Sequence, residues 1–392
     1  FLPADEIEVS VTANAFTGTG GIPLTAPYLW RFRTAAGWGP AVFNQYFRQV
    51  VEDTVRTDAL ALGDVDGDGD LDLAISQFEG VSAIYLNDGT GHFDAGMRQI
   101  GDSGSVYFDL KFGDMDGDGD LDLVAASHLG QSAIYFNDGR GQFNEPVNFG
   151  DTVPVPRMAL GDADGNGYLD IAIGGMSAST NTVYFNNGNG RFDKTTSFEA
   201  MEEQVRSINF GDIDSDGDLD LVVGASGQEN LVYYNNGEGL YPIVRNVGRP
   251  EDSDGIVLGD FNGDNNLDIC TATALYCNPG AGIFDDAERR KFSEVGTDVL
   301  ACGDVDGDGD LDVVISPLTL YLNDGTGTFT EKALFGDWLA AITFGDADGD
   351  GDLDMVVARN GDARITLYLN ESDEPRPTPT PGPVNVWMWI NY

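Results

Sequence analysis

Hydrophobic and polar positions alternate along most of this chain in short runs that recur as a set. Each set opens on an apolar pair spaced by two: Leu60 and Leu62, Leu110 and Phe112, Met158 and Leu160, Ile208 and Phe210, Ile256 and Leu258, Leu300 and Cys302, Ile342 and Phe344. Period-two alternation of this kind predicts a strand. An acidic loop follows, then a second apolar run such as LDLAIS or LDLVVG, then a third such as AIYLN (Ala83 to Asn87) or TVYFN (Thr182 to Asn186). The third run ends in NDG or NNG, residues that tolerate the positive φ of tight turns, and so predicts a hairpin. A fourth strand is predicted to start at Phe93, Phe143, Phe192, Tyr241, Phe284 and Phe329.

The acidic loops begin at Gly63, Gly113, Gly161, Gly211, Gly259, Gly303 and Gly345, a period of 42 to 50 residues. That period, with four short antiparallel strands per unit, predicts an all-β fold: a seven-bladed β-propeller with four-stranded blades. The seventh unit stops after its third strand, ITLYLN (Ile365 to Asn370). GWGPAVFNQYFRQV (Gly37 to Val50) has the spelling of a fourth strand such as GTGHFDAGMRQI (Gly89 to Ile100). This N-terminal strand is therefore expected to complete the last blade and close the ring, which removes an open sheet edge.

The expected organisation has four parts. Residues 1–36, with EIEVSVTANAF and PLTAPYLWRFRT, form an N-terminal β segment of two or three strands, and residues 37–371 form the propeller. Residues 372–383 form a linker whose PRPTPTPGP (Pro375 to Pro383) is semi-rigid and extended. Residues 384–392, VNVWMWINY, form an uncharged tail rich in β-formers, an aggregation hazard unless it docks.

The loops carry the chemistry. In the first, Asp64, Asp66, Asp68 and Asp72 offer side-chain oxygens and the backbone carbonyl of Asp70 fills the gap. The pattern D-x-D-x-D-G-x-x-D is similar to the start of a helix-flanked calcium loop, with glycine at position six for the sharp turn. The second loop offers Asp114, Asp116, Asp118, Asp122 and the carbonyl of Asp120; the third offers Asp162, Asp164, Asn166, Asp170 and the carbonyl of Tyr168. The fourth offers Asp212, Asp214, Asp216, Asp220 and Asp218, and the fifth Asp260, Asn262, Asp264, Asp268 and Asn266. The last two offer Asp304, Asp306, Asp308, Asp312 and Asp310, then Asp346, Asp348, Asp350, Asp354 and Asp352. Asn265 replaces the turn glycine in the fifth, where a left-handed asparagine is expected to preserve the site. The plainer reading is solvated Asp-Gly turns, but several carboxylates in one tight loop repel one another unless a cation lies between them. Calcium suits an all-oxygen set better than magnesium, which demands a stricter octahedron; zinc would want His or Cys. About seven calcium ions, one per blade, are expected.

Charge sharpens this. The chain has 66 acidic and 20 basic residues, a net −46, and 31 of the acidic ones lie in the seven loops. Seven divalent ions would reduce the imbalance to −32. So acidic a chain is no partner for nucleic acid, which needs clustered Lys and Arg. No run approaches the roughly 20 apolar residues of a membrane span. The chain opens at Phe1 without a signal segment, as expected of a mature or trimmed form. Cys270, Cys277 and Cys302 stand where other units carry apolar residues and read as buried small hydrophobes, with a Cys270–Cys277 disulfide as the lesser alternative.

The chain resembles the FG-GAP and VCBS repeat family, the calcium-binding propeller repeats also found in the head of integrin α subunits. The FG dipeptide itself stands at Phe112-Gly113, Phe210-Gly211 and Phe344-Gly345, and the likeness runs from about Gly37 to Asn370. It implies an extracellular binding or scaffolding role rather than catalysis. The N-terminal PLTAPYLWRFRT weakly resembles the end of a bacterial immunoglobulin-like domain. No catalytic motif is present, and His92 and His128 have no partner pattern. The expected function is a non-enzymatic cell-surface or assembly module; for residues 384–392 two readings stand level, addition as a strand to a neighbour, against residues 1–36, or a tail that folds back on its own propeller or stays disordered. The alternatives are a monomeric adhesin for glycan or protein, and a polysaccharide lyase or hydrolase. The metal-free rim is expected to present Phe78, Tyr107, His128, Arg157, Met176, Arg206, Trp338 and Arg359, while Arg289, Arg290 and Lys291 read as a solvated cluster.

Overall fold

The computed structural model describes residues 6–11, 28–33, 43, 47–52 and 56–370, the last span without 79, 94–95, 103–104, 129, 153–156, 176–180, 199–204, 226, 251–254, 285–288, 298, 335–337 and 361–363. Within these residues all regular structure is strand. Seven four-stranded antiparallel sheets form the blades, six of them ordered as the chain runs. The first blade is Thr57–Gly63, Asp72–Gln77, Ser82–Leu86 and Gly96–Ile100; the second is Tyr107–Gly113, Asp122–Ser127, Ser132–Tyr135 and Val147–Phe149. In the seventh, Leu339–Gly345, Asp354–Arg359 and Arg364–Tyr368 are joined by Phe47–Glu52, which pairs Phe47 with Tyr368 and Arg48 with Leu367. The expected closure by an N-terminal strand is what the chain does. Glu6–Val11 and Tyr28–Arg33 form a separate antiparallel pair.

The first strands of successive blades pack side by side around the ring, and that of the seventh packs on that of the first. Blades stacked face to face cover both sides of their middle strands. Asp72–Gln77 and Asp122–Ser127 are accordingly buried at every position, which is why their sequences run nearly unbroken in apolar residues. The core is thus divided into seven apolar clusters, one in each gap between neighbouring blades. Outer strands are wetter: Ile243–Val247 is exposed at four of its five positions.

The fourth strands correct one expectation. Five of the six aromatics do not start a strand; the strands begin at Gly96, Val147, Lys194, Ile243 and Arg289, and only Phe329 opens one. Instead each aromatic enters the gap toward the preceding blade: Phe93 against the seventh, Phe143 against the first, Phe192 against the second, Tyr241 against the third, Phe284 against the fourth and Phe329 against the fifth. Phe43 fills the same role between the sixth and seventh, 1% exposed among Val305, Leu318, Met355 and Tyr368. Burying such a side chain is worth about 1.5–3 kcal/mol, so the closing segment is held by packing as well as by its ladder.

Cys270 and Cys277 are the buried small hydrophobes that the sequence favoured, lying in the gap between the fifth and sixth blades with Cys302 packed against them, and the lesser alternative, a disulfide, does not form. One further expectation changes. Arg289 and Arg290 are half-buried rather than solvated, because Arg289 donates to the Tyr276 hydroxyl and Arg290 to the Thr326 carbonyl. The tail 384–392, the linker and Met176 lie outside the described residues.

Candidate metal centres

Each acidic loop joins the first and second strands of its blade and is folded by its own carboxylates. In the first, Asp64 accepts from the amides of Gly67 (2.8 Å) and Gly69 (3.0 Å), and Asp68 accepts from the amide of Asp70 at 3.0 Å. The amides can reach these oxygens because positions four and six turn through left-handed backbone: φ is 76° at Gly67 and 96° at Gly69. Asn265 takes the same conformation at position six of the fifth loop, φ 66°, as its residue type allows. The sequence reading missed position four of the fourth loop, where Ser215 is held at φ 62° in the place of a glycine.

The ninth position is distinct. Asp72 is 1% exposed and accepts from the amides of Val65 (3.0 Å) and Asn87 (2.8 Å), one on each oxygen. The same pair of bonds recurs at Asp122, Asp170, Asp220, Asp268, Asp312 and Asp354. This carboxylate ties the loop to the end of the third strand and still faces the others. Asp64, Asp66 and Asp72 place one oxygen each within 4.8 Å of one another, as do Asp114, Asp116 and Asp122; Asp162, Asp164 and Asp170; Asp212, Asp214 and Asp220; and Asp304, Asp306 and Asp308.

These groups fit a hard divalent cation. The Oδ1 atoms of Asp66, Asp164 and Asp214, all at position three, are buried without a hydrogen-bond donor, and so is Oδ1 of Asp304. A buried carboxylate oxygen lacking a donor is costly unless a cation meets it. Burial raises the carboxyls in the same places, with neighbouring Asp charges adding to it: Asp72, Asp122, Asp220, Asp268 and Asp304 to about 7, and Asp170, Asp312 and Asp354 to about 8. The donor set is all oxygen, and in the third loop Asn166 Nδ2 donates to the Asn186 carbonyl, leaving its oxygen toward the loop side, where it accepts from Tyr168 N. The ammonium of Lys194 lies 3.4 Å from Asp164 in that same loop.

A second repeated device links the loops and was not foreseen. The asparagine ending each third strand is a buried connector between blades. Asn137 Nδ2 donates to the Val65 carbonyl in the first loop, Asn186 to Met115 in the second, and Asn235 to Ala163 in the third, each at 2.7 Å. Asn278 donates to Ile213, Asn323 to Phe261, Asn370 to Val305, and Asn87 to Ala347 of the seventh loop, which completes the circuit. Every acidic loop is therefore fastened to the next blade. The loop glycines serve the same junction: a Cβ on Gly345 would come within 2.7 Å of Leu71, and one on Gly63 within 3.0 Å of Leu121, so each blade seats its loop leucine on the backbone of its predecessor.

The metal-free rim holds less than its sequence suggested. Tyr107 is buried, Arg157 Nε donates to the Arg206 carbonyl at 2.9 Å, and Arg359 binds the Tyr368 hydroxyl. His128 packs on Phe108 with ring centroids 4.2 Å apart, near Phe78, whereas Trp338 is 58% exposed. His92 lies in the turn after the first blade's third strand, bonded to Thr90, and so at the loop end of the ring, opposite the second-to-third turn that carries His128.

Comparison with known proteins agrees with this architecture. The sequence pattern of the FG-GAP-like repeat matches residues 64–125, 114–173, 162–223, 212–271 and 316–357. No curated protein sequence matches the chain. Among solved structures it is similar to an Agrocybe aegerita lectin described as recognising non-reducing terminal N-acetylglucosamine, at 22% identity over 79% of this chain and 86% of that one, TM-score 0.51. A lectin from Burkholderia pseudomallei is similar at 12% identity over 81% of this chain and 96% of the other, TM-score 0.58. Chaetomium thermophilum Raptor is similar at 12% identity over 84% of this chain and 29% of its own length, TM-score 0.56. At these identities the likeness is one of fold alone. The repeat pattern covers more than half of the sequence, and the chain belongs to the FG-GAP-like repeat family.

Proposed function

We propose that this chain is a calcium-stabilised, non-enzymatic propeller that works outside the cell as a structural and binding module. The observation that carries the reading is the set of buried, donorless oxygens of Asp66, Asp164 and Asp214 beside carboxylates within 4.8 Å. The ions would be held by positions one, three, five and nine of each loop and the carbonyl at seven, with residues 37–371 as the propeller. A bound divalent ion supplies charge neutralisation. The chain's part is to gather its carboxylates at each corner and to relay that order through Asn137, Asn186 and their equivalents to the adjoining blade. Millimolar extracellular calcium keeps even weak sites of this type filled. Melting curves in calcium and in excess EDTA test this: a marked fall in Tm on chelation, restored by calcium, is expected, and unchanged curves would remove the metal from the account.

How the module is used is a separate proposal. Residues 384–392 are an uncharged β-forming segment on a proline-rich spacer, suited to adding a strand to a second copy, with residues 1–36 as the acceptor. Particle mass before and after removal of residues 384–392 tests it; a monomer in both cases ends it. A second reading, glycan binding, is favoured by a cavity between the first and second blades, and two of the fold neighbours are lectins.

A further inference from the structure

Between the first and second blades, from the second-to-third turn of the second blade (Gly130, Gln131) to the start of its fourth strand (Glu145, Pro146), lies a cavity of about 540 Å³, within the roughly 300–1,000 Å³ typical of small-molecule sites. Tyr107 and Tyr135 line it; both are 4% exposed, edge to face, with hydroxyls 2.5 Å apart. The pair holds two hydroxyl protons and one bridges it, so the other remains to donate to a ligand. Phe143 adds a half-buried ring, and Asp102 and Glu145 are exposed carboxylates on the same lining. Asp102 is fixed by Ser105, whose hydroxyl donates to its Oδ1 at 3.1 Å and accepts from its amide at 3.2 Å. Among the described residues, none in the lining is basic.

The cavity also breaks the symmetry of the repeat. Six residues before the loop glycine, where the second blade has Tyr107, the other blades carry Thr57, Val155, Val205, Ser253, Thr297 and Leu339. The ring closes without an aromatic there six times out of seven, so the tyrosine answers a need other than closure. Aromatic rings offer faces for C–H groups, carboxylates and an amide such as Gln131 accept from hydroxyls, and two negative charges with no cation repel anions. A ligand with one apolar face, several hydroxyls and no negative charge meets all three conditions.

We propose that this cavity binds a neutral saccharide residue, a single pyranose with its C–H face toward the half-buried Phe143 ring, a hydroxyl of the tyrosine pair donating to it, and its own hydroxyls toward Asp102 and Glu145. The proposal rests on the glycan-binding reading and adds the site and the ligand class. The test is calorimetric titration of the full chain in calcium with methyl glycosides of glucose, galactose, mannose and N-acetylglucosamine, and with methyl glucuronide. At least one neutral glycoside is expected to bind, with glucuronide at least tenfold weaker. The Asp102→Asn, Glu145→Gln double variant should weaken binding about ten- to a hundredfold, the range for hydrogen bonds to charged groups. Tyr107→Phe, which keeps the ring, should weaken it several-fold, and equal melting curves would establish that all three proteins are folded. Neutral glycosides that bind wild type and variants equally would overturn this site but keep glycan binding. Glucuronide binding as tightly as neutral sugar would overturn the ligand class, and no binding by any glycoside would overturn both site and reading.

Discussion

Asn235 offers the sharpest test of how the blades are joined. Its Nδ2 donates to the Ala163 carbonyl at 2.7 Å and to the Leu219 carbonyl at 3.0 Å, and its Oδ1 accepts from the amides of Asn236, Gly237 and Gly239. Asn235→Ala removes all five bonds and leaves the buried Ala163 carbonyl without that donor. At about 1–3 kcal/mol for a stranded buried group, and less for the more exposed turn amides, the loss should be about 2–4 kcal/mol. That is a large fraction of the 5–15 kcal/mol typical of a folded protein. Asn235→Asp separates two roles. If the residue merely caps its turn, aspartate keeps the acceptor and costs little. If the donation across the blade gap matters, aspartate faces two carbonyls with an oxygen and costs at least as much as alanine. Denaturant unfolding in saturating calcium reads both variants. A loss below about 0.5 kcal/mol for either, the level of an ordinary surface change, would refute the reasoning.

Other expectations follow from the same structure. Phe43→Ala should cost about 3–5 kcal/mol and release the closing strand, read as protease sensitivity near residues 47–52. Ser215→Gly should stabilise the protein by about 1 kcal/mol in thermal melts, because it relieves a left-handed φ that serine resists. Without divalent ions, stability should rise on acidification. Asp72, Asp122 and Asp220 have carboxyls raised to about 7 in the fold against 3.8 when unfolded, so their contribution is complete below about pH 4 and lost as pH climbs through 7. The calcium-loaded protein should show the opposite trend below pH 7, as protons displace metal; metal-free protein that melts higher at pH 8 than at pH 5 would contradict this. The third loop, with three carboxylates and the Lys194 ammonium beside Asp164, should release its ion first in a chelator titration followed by residue-resolved NMR.

Much of this was legible in the sequence, for a physical reason: a blade cannot bury its faces alone, so the chain repeats one pattern seven times and the period survives every local variation. Closure was legible too, since the spelling around Phe43 matches that around Phe93. The connector asparagines were hidden because Asn-Asp-Gly is also the spelling of a tight turn. Asn278 before a proline and Asn370 before a glutamate were the signal, since neither continues into Asn-Gly or Asp-Gly and both keep the asparagine. The aromatics were misplaced because a strand start and an interblade plug share one apolar signature, and only the neighbouring blade tells them apart. The cavity was hidden for the opposite reason: Tyr107 matters as a departure from the repeat, and its partner Tyr135 stands in the next strand but one.

The most direct test of the central claim is a count of metal. Crystals of the full chain grown in calcium, with anomalous diffraction recorded above and below a lanthanide edge after exchange, should reveal seven peaks, each beside the third-position residue of one loop, from Asp66 to Asp348. Loops without peaks in ample metal, or peaks lying away from these carboxylates, would contradict the account.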